Sequence, residues 1–247
     1  ELTMMQGYFK NNSKEEVVFD MFYRSNPSGN GYSVCAGLEQ VINYIKNLHF
    51  TYDDVDYLRS LGIFSEDFLH YLSGFHFSGD IYAIPEGTVV FPKEPLLKVV
   101  APIMQAQLIE TAILNILNYQ IMIATKASRI KSIVGNQTVM EFGSRRAQEL
   151  DAALWGTRAA YIGGFDATSN VRAGKLFGIP ISGTHAHALV QVYMNDYDAF
   201  KAYAETHHNC VFLVDTFDTL KSGVPNAIKV AKEFGDKINF IGVRIDS

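Results

Sequence analysis

The side chains best suited to chemistry fall in five short clusters: Ser144-Arg145-Arg146, Phe165-Asp166-Ala167-Thr168-Ser169-Asn170, Thr184-His185-Ala186-His187, Asp215-Thr216-Phe217-Asp218 and Arg244-Ile245-Asp246-Ser247. Two histidines separated by one residue at a strand end turn one imidazole into a common mouth and the other away from it. An imidazole oriented by an acid such as Asp215 or Asp246 suits a nucleophilic or phosphoryl-accepting role. A metal reading of His185 and His187, extended by His207, His208 and Cys210, is weaker, because those three precede the next strand and belong at its other end. The plain alternative is that both histidines are satisfied by core or loop hydrogen bonds. Arg145 and Arg146 repel each other at the positive end of a helix dipole unless an anion binds there. Phe142, at a strand end, is either a core residue or a stacking platform, and spacing does not separate the two. In the cluster at 166–170 most polar side chains are expected to cap the helix that Val171 begins, leaving at least one to face ligand. Asp215 and Asp246 end two strongly apolar runs, where a carboxylate suits sugar hydroxyls or Mg²⁺.

Each cluster follows a short apolar run: Thr138–Gly143, Ala159–Gly164, Gly178–Gly183, Cys210–Asp215 and Ile238–Asp246. With helix-like segments between them, these predict five strands in βα repetition. Polar clusters at successive strand ends are the pattern of a (β/α) barrel mouth, although an open doubly wound sheet collects ligands at the same ends. Neither a GxGxxG nor a Walker sequence favours the open sheet. Five strands do not close the usual barrel of about eight, and the sequence stops just after a polar strand end, so it is expected to be the first portion of a longer protein. Upstream, residues 1–115 predict a small α+β domain. Val34, Leu38, Val41, Ile42, Ile45 and Leu48 mark one helix face, and Phe68, Leu69 and Leu72 mark another that Ser65 can cap. Residues 80–84, 88–91 and 96–101 predict an antiparallel sheet around the turn Pro85-Glu86-Gly87. The window 101–133 is apolar enough to suggest a membrane span, but Gln105, Gln107, Glu110, Asn115, Asn118, Gln120 and Lys126 interrupt it, so it predicts a long helix between protein layers.

Composition narrows the partners. The 247 residues are 48% apolar and 13% aromatic, enough to bury roughly three-quarters of the unfolded surface, which excludes disorder. A net charge of -5 without a Lys/Arg run gives no footing for phosphate backbones, so nucleic acid is not an expected partner. Cys35 and Cys210 have neither CxxC nor zinc-ribbon spacing, and the N-terminus has no secretory pattern, so a reducing, cytoplasmic setting is expected.

Four segments in register, Glu141-Phe-Gly-Ser-Arg-Arg-Ala-Gln148, Gly163-Gly-Phe-Asp-Ala-Thr-Ser-Asn170, Gly183-Thr-His-Ala-His187 and Gly242-Val-Arg-Ile-Asp-Ser247, with Leu2-Thr-Met-Met-Gln-Gly-Tyr-Phe9 before them, resemble the nicotinate phosphoribosyltransferases. The resemblance covers the whole chain. It implies an α/β fold, an incomplete (β/α) barrel of the type II phosphoribosyltransferase kind over 116–247, preceded by an α+β sandwich domain over 1–115, in a homodimer with a shared active site. It implies joining of nicotinate to 5-phosphoribosyl-1-diphosphate, forming nicotinate mononucleotide and diphosphate for NAD synthesis, with Mg²⁺ and with ATP as co-substrate through a phosphohistidine. Position by position, it makes His187 the phosphorylated residue, with Thr184 in the nicotinate site, and Asp246 a catalytic residue beside the ribose and its phosphates. Phe142 stacks on the pyridine ring, Arg145 binds an anionic group, and Ser169 stands where a nicotinamide-using relative carries an acid. Asp215 and Arg244 match positions around the ribose and its phosphates. No residue is assigned as a resident metal ligand. A ring-stacking tyrosine expected just before Leu2 and a Gly-Asp expected after Ser247 are not in this sequence, so the chain is expected to hold half a site and to be inactive alone. Two readings from other classes are a metal-dependent barrel hydrolase and a non-catalytic phosphate- or nucleotide-binding module.

Overall fold

The computed structural model describes every residue except Pro27, Ser28, Asn30 and Ser247, and the last of these, quoted in the fifth cluster, therefore lies outside the described residues. The backbone gathers into two units, Glu1–Ile181 and the part from Ser182 onward.

The first unit runs α1 (Leu2–Lys10), β1 (Glu16–Phe22), β2 (Ser33–Val34), α2 (Leu38–Asn47), α3 (Tyr52–Ser60), α4 (Glu66–Ser73), β3 (Asp80–Ala83), β4 (Val89–Val90), β5 (Pro95–Pro102) and α5 (Ile103–Val134). It continues with β6 (Met140–Glu141), α6 (Leu150–Ile162), β7 (Ala167–Thr168) and α7 (Val171–Phe177). The long helix foreseen at 101–133 is α5. It is long and apolar enough to cross a membrane by length and composition. Its buried stripe, however, recurs at helical spacing through Ala106, Ile109, Ile113, Leu117 and Ile121, and it packs on Leu97, Val99 and Ala101 of the sheet.

The antiparallel sheet differs from expectation in its partners. β3 pairs with β5, as foreseen, but β4 pairs with β2, and the other side of β5 is filled along its length by β1. Glu16–Phe22 carries the period-two alternation of a half-buried strand, with Met21 buried and Val18 exposed. α3 was also unforeseen, and its signal is local. Thr51 accepts from the Asp54 amide while the Asp54 carboxylate accepts from the Thr51 amide, a capping box.

The expected strand at Ala159–Gly164 is corrected: those residues form the last turns of α6, with Gly163 capping the helix. Apolar runs of six residues suit a strand or a buried helix equally. Here the Glu149 side chain caps the helix start by accepting from the Ala152 amide at 2.9 Å, and no breaker intervenes before Gly163. Gly156 lies inside the helix because a Cβ there would stand 2.6 Å from the Tyr119 hydroxyl. The strand instead forms at Ala167–Thr168, parallel to β6, and Gly178–Gly183 contributes only a parallel bridge from Ile181 to Thr168.

One partly buried ion pair ties the turn Pro85-Glu86-Gly87 to α6. Arg158 donates from both Nη atoms to the Glu86 carboxylate, at 2.8 and 2.7 Å, and also meets Glu39. The same carboxylate accepts from the Gly37 and Leu38 amides at the start of α2, at 2.6 and 3.1 Å. Burial pushes the Glu86 carboxyl up, but the Arg158 and Gly37 hydrogen bonds and the Arg158 charge outweigh it and hold the group below its ordinary value. Glu86→Gln is expected to destabilise the unit by about 2 kcal/mol at neutral pH, since the partly buried Arg158 loses its two-point partner and keeps only the more exposed Glu39. A carboxyl lowered on folding contributes stability above its unfolded pKa, about 4.5, and loses it as pH falls through the lower folded value. Urea melts of both proteins should therefore differ most at neutral pH and converge in acid; a constant gap would show that the charge is not the source.

The second unit is built from α8 (His187–Val192), α9 (Asp196–Thr206), β8 (Asn209–Leu213), α10 (Val224–Phe234) and β9 (Asn239–Arg244). β8 and β9 run parallel, as foreseen, joined through α10. Phe200, Phe212, Val214, Ala227 and Val230 form its core.

Candidate active site

The parallel register of the second unit brings its functional residues together. Leu213 pairs with Arg244 at the ends of β8 and β9, and the Val214 amide donates to the Arg244 carbonyl at 3.1 Å. Asp215 and Asp246 consequently leave adjacent strand ends side by side, and the Asp246 amide donates to Asp215 Oδ2 at 2.6 Å. His187 opens α8 and points its Nε2 at both acids, 3.8 Å from Asp215 Oδ1 and 3.7 Å from Asp246 Oδ2. Its Nδ1 lies 3.0 Å from Thr216 Oγ1. Arg244 donates to Thr184 Oγ1 at 2.7 Å and pairs with Asp246. Five of the eight residues singled out in the sequence, Thr184, His187, Asp215, Arg244 and Asp246, thus form one connected polar group. The Asp215 side chain is only 6% exposed, whereas His187 and Asp246 keep about a third of their surface open.

His185 does something else. Its ring packs among Phe200, Tyr203 and Phe212, with centroids 5.8, 5.0 and 6.5 Å away, and its Nε2 accepts from the Leu213 amide at 3.1 Å. Burial pushes its pKa down, so at neutral pH it is an uncharged core residue that fixes the end of β8. The two histidines therefore do not converge on a common ligand. His207 stacks on Tyr203 at 4.0 Å, at the opposite end of β8, and among the described residues no three His, Cys, Asp or Glu side chains form a metal-sized group.

In the first unit, Phe142, Arg145 and Ser169 follow the ends of the paired strands β6 and β7. The Ser169 amide donates to the Glu141 carbonyl at 3.2 Å. Phe142 keeps 37% of its surface open, and Arg145 and Ser169 are exposed. Around them the expected capping of α7 by most of the cluster at 166–170 is corrected: it falls to Asn170, while Asp166 and Thr168 bind elsewhere in the unit. Asn170 caps α7 through the Ala173 amide at 3.1 Å, and Asp166 pairs with Lys131 at 2.7 Å. Arg145 and Arg146 lie in a one-turn 3-10 segment, Ser144–Arg146, rather than at the start of an α-helix, so the helix-dipole argument for an anion does not apply there. Sequence reasoning missed Glu141, whose carboxylate accepts from Thr157 and Thr168, both at 2.8 Å, and from the Gly143 amide. It pins the segment that carries Phe142. A carboxylate between two glycine-containing turns was the available signal.

Two solved structures share this fold. A crystal structure of human nicotinic acid phosphoribosyltransferase superposes with a TM-score of 0.92 at 29% identity, over 100% of this chain and 61% of that one. A nicotinate-nucleotide pyrophosphorylase from Pyrococcus furiosus superposes with a TM-score of 0.79 at 27% identity, over 100% of this chain and 55% of that one. The chain is a mixed α/β protein with the fold of the corresponding portions of these enzymes. Residues 1–118 match the nicotinate phosphoribosyltransferase (NAPRTase) N-terminal domain. Over its whole length the chain is 58% identical to a Bacillus subtilis nicotinate phosphoribosyltransferase, covering 51% of it, and 42% identical to the Mycobacterium tuberculosis nicotinate phosphoribosyltransferase pncB2, covering 53%. The chain is similar to these nicotinate phosphoribosyltransferases along its whole length and spans about half the length of the curated relatives it matches.

Proposed function

We propose that the protein containing this chain is a nicotinate phosphoribosyltransferase of NAD biosynthesis, forming nicotinate mononucleotide and diphosphate from nicotinate and 5-phosphoribosyl-1-diphosphate, with ATP hydrolysis coupled through a phosphohistidine. The observation that carries the reading is the position of His187, bracketed by Asp215 and Asp246 on one nitrogen and Thr216 on the other. An imidazole so held is oriented as a nucleophile toward a phosphoryl group. Displacement at the anomeric carbon develops positive charge on the ribose, which the Asp246 and Asp215 carboxylates offset, while Arg244 neutralises phosphate. Carboxylate oxygens are the ligands Mg²⁺ prefers, and Asp215 and Asp246, side by side at adjacent strand ends, would hold an ion shared with a diphosphate. Bound there, Mg²⁺ would supply positive charge against the departing diphosphate. Phe142, Arg145 and Ser169 hold the base. In the whole protein residues 1–115 belong to a sandwich domain and 116–247 to an irregular barrel, and the enzyme is a cytoplasmic homodimer, a setting that the two free buried thiols suit.

The test is an assay of the intact protein with nicotinate or nicotinamide, 5-phosphoribosyl-1-diphosphate and Mg²⁺, with and without ATP. ATP-stimulated nicotinate mononucleotide is expected; absence of product with either base refutes the reading. Ser169→Asp places a like charge near the substrate carboxylate and is expected to lower the kcat/KM ratio of nicotinate over nicotinamide by about 5-fold, about 1 kcal/mol at an exposed position. An unchanged ratio would show that Ser169 does not face the ring.

A further inference from the structure

The two strands that deliver Phe142 and Ser169 are each two residues long, Met140–Glu141 and Ala167–Thr168, and they pair in parallel with Glu141 opposite Thr168. A parallel ladder that short holds two strand ends weakly. Side chains complete the fastening, and they meet at Glu141. Its Oε2 accepts from the hydroxyls of Thr168 on β7 and Thr157 on α6, both at 2.8 Å, and both threonines are buried. The Thr157 hydroxyl has a second acceptor at 2.8 Å, the Ala153 carbonyl, but a carboxylate is the stronger acceptor for its single proton. The other oxygen of Glu141 accepts from the Gly143 amide, so Phe142 lies between two anchored residues. Ser169 is bracketed in the same way. Its own amide donates to the Glu141 carbonyl at 3.2 Å, and the next amide, that of Asn170, donates to the Thr168 hydroxyl at 2.9 Å.

We propose that Glu141 is a positioning residue for the base: through Thr168 and the Gly143 amide it fixes Phe142 and Ser169 relative to each other, and so sets how tightly nicotinate is held. The proposal rests on the reading that Phe142 and Ser169 hold the base. Glu141 acts through them and touches no substrate. An aromatic platform gains its contact with a flat ring at close range and forfeits much of it when the gap widens by an ångström. Loosened strand ends also leave the ligand to order them, which subtracts from affinity. A glutamine at this position keeps the size but accepts on one oxygen, so three donors no longer find a carboxylate between them.

The experiment is steady-state kinetics of the intact protein with nicotinate and 5-phosphoribosyl-1-diphosphate varied in turn. Glu141→Gln and Thr168→Val should each raise KM for nicotinate by about tenfold, the order of one hydrogen bond to a charged group, while KM for the diphosphate sugar stays within about twofold. Thr168→Ser keeps the hydroxyl and should return the nicotinate KM to near wild type. The double variant should be no worse than the worse single one, because both changes break the same link. A loss of folding alone would lower kcat with the active fraction and leave both KM values where they were. An unchanged nicotinate KM in folded Glu141→Gln, an equal rise in both KM values, or Thr168→Ser as impaired as Thr168→Val overturns the proposal. If Glu141→Gln does not fold, the two Thr168 variants decide alone. Phe142→Ala tests the underlying reading: if it leaves the nicotinate KM unchanged, the base does not sit at these strand ends, and the role of Glu141 falls with that reading rather than on its own.

Discussion

The intact protein with His187→Ala is expected to take no phosphoryl label from ATP and to lose all stimulation of nucleotide formation by ATP, while keeping a slow uncoupled rate. The reason is the division of labour between the two histidines. His187 keeps about a third of its surface open beside two acids and a hydroxyl, whereas His185 is enclosed by aromatic rings with Nε2 committed to the Leu213 amide. The paired variant His185→Ala should behave oppositely. It leaves a cavity among Phe200, Tyr203 and Phe212 and an unsatisfied buried amide, and is expected to cost about 2–4 kcal/mol of stability while the folded fraction still labels. Labelling in His187→Ala but not in folded His185→Ala would reverse the assignment.

Much of the site was legible because parallel strands expose chemistry at one end only. Once Cys210–Asp215 and Ile238–Asp246 are recognised as strands, Asp215, Arg244 and Asp246 must emerge at neighbouring positions, and the structure pairs Leu213 with Arg244. The spacing of His185 and His187 likewise implied that one ring turns away. What spacing left open was which one, since that depends on the aromatic residues Phe200 and Tyr203 of α9, a helix distant in sequence from the motif. The fold was legible where periodicity ran long, as in α5, and failed where it ran short. Ala159–Gly164 suits either a strand or a helix end, and the choice was made by the Glu149 cap upstream and by the close approach of Ala124, whose carbonyl a Cβ at Gly163 would meet at 2.4 Å. β1 was missed despite its alternation. An alternating segment announces a strand but not its partner, and β5 lies more than seventy residues away.

Asp246 carries the other large expected effect. Its carboxylate pairs with Arg244 and faces Nε2 of His187 at 3.7 Å, and its amide is held by Asp215. Asn at this position keeps the size, the amide bond to Asp215 and an acceptor for Arg244, but removes the charge. If the charge offsets the positive ribose in the transition state, Asp246→Asn should lower kcat/KM for 5-phosphoribosyl-1-diphosphate by about 10²–10³-fold, about 3–4 kcal/mol, the range for one lost electrostatic partner in a preorganised site. Because Asp246 is more than a third exposed, the melting temperature should change little, which separates a catalytic loss from an unfolding one. The same variant removes one of the two carboxylate charges facing His187, so ATP-dependent labelling should also fall, though less than catalysis, because Asp215 remains at 3.8 Å. Turnover and labelling that both match wild type would remove Asp246 from the mechanism and leave it as a fastener between the two strand ends.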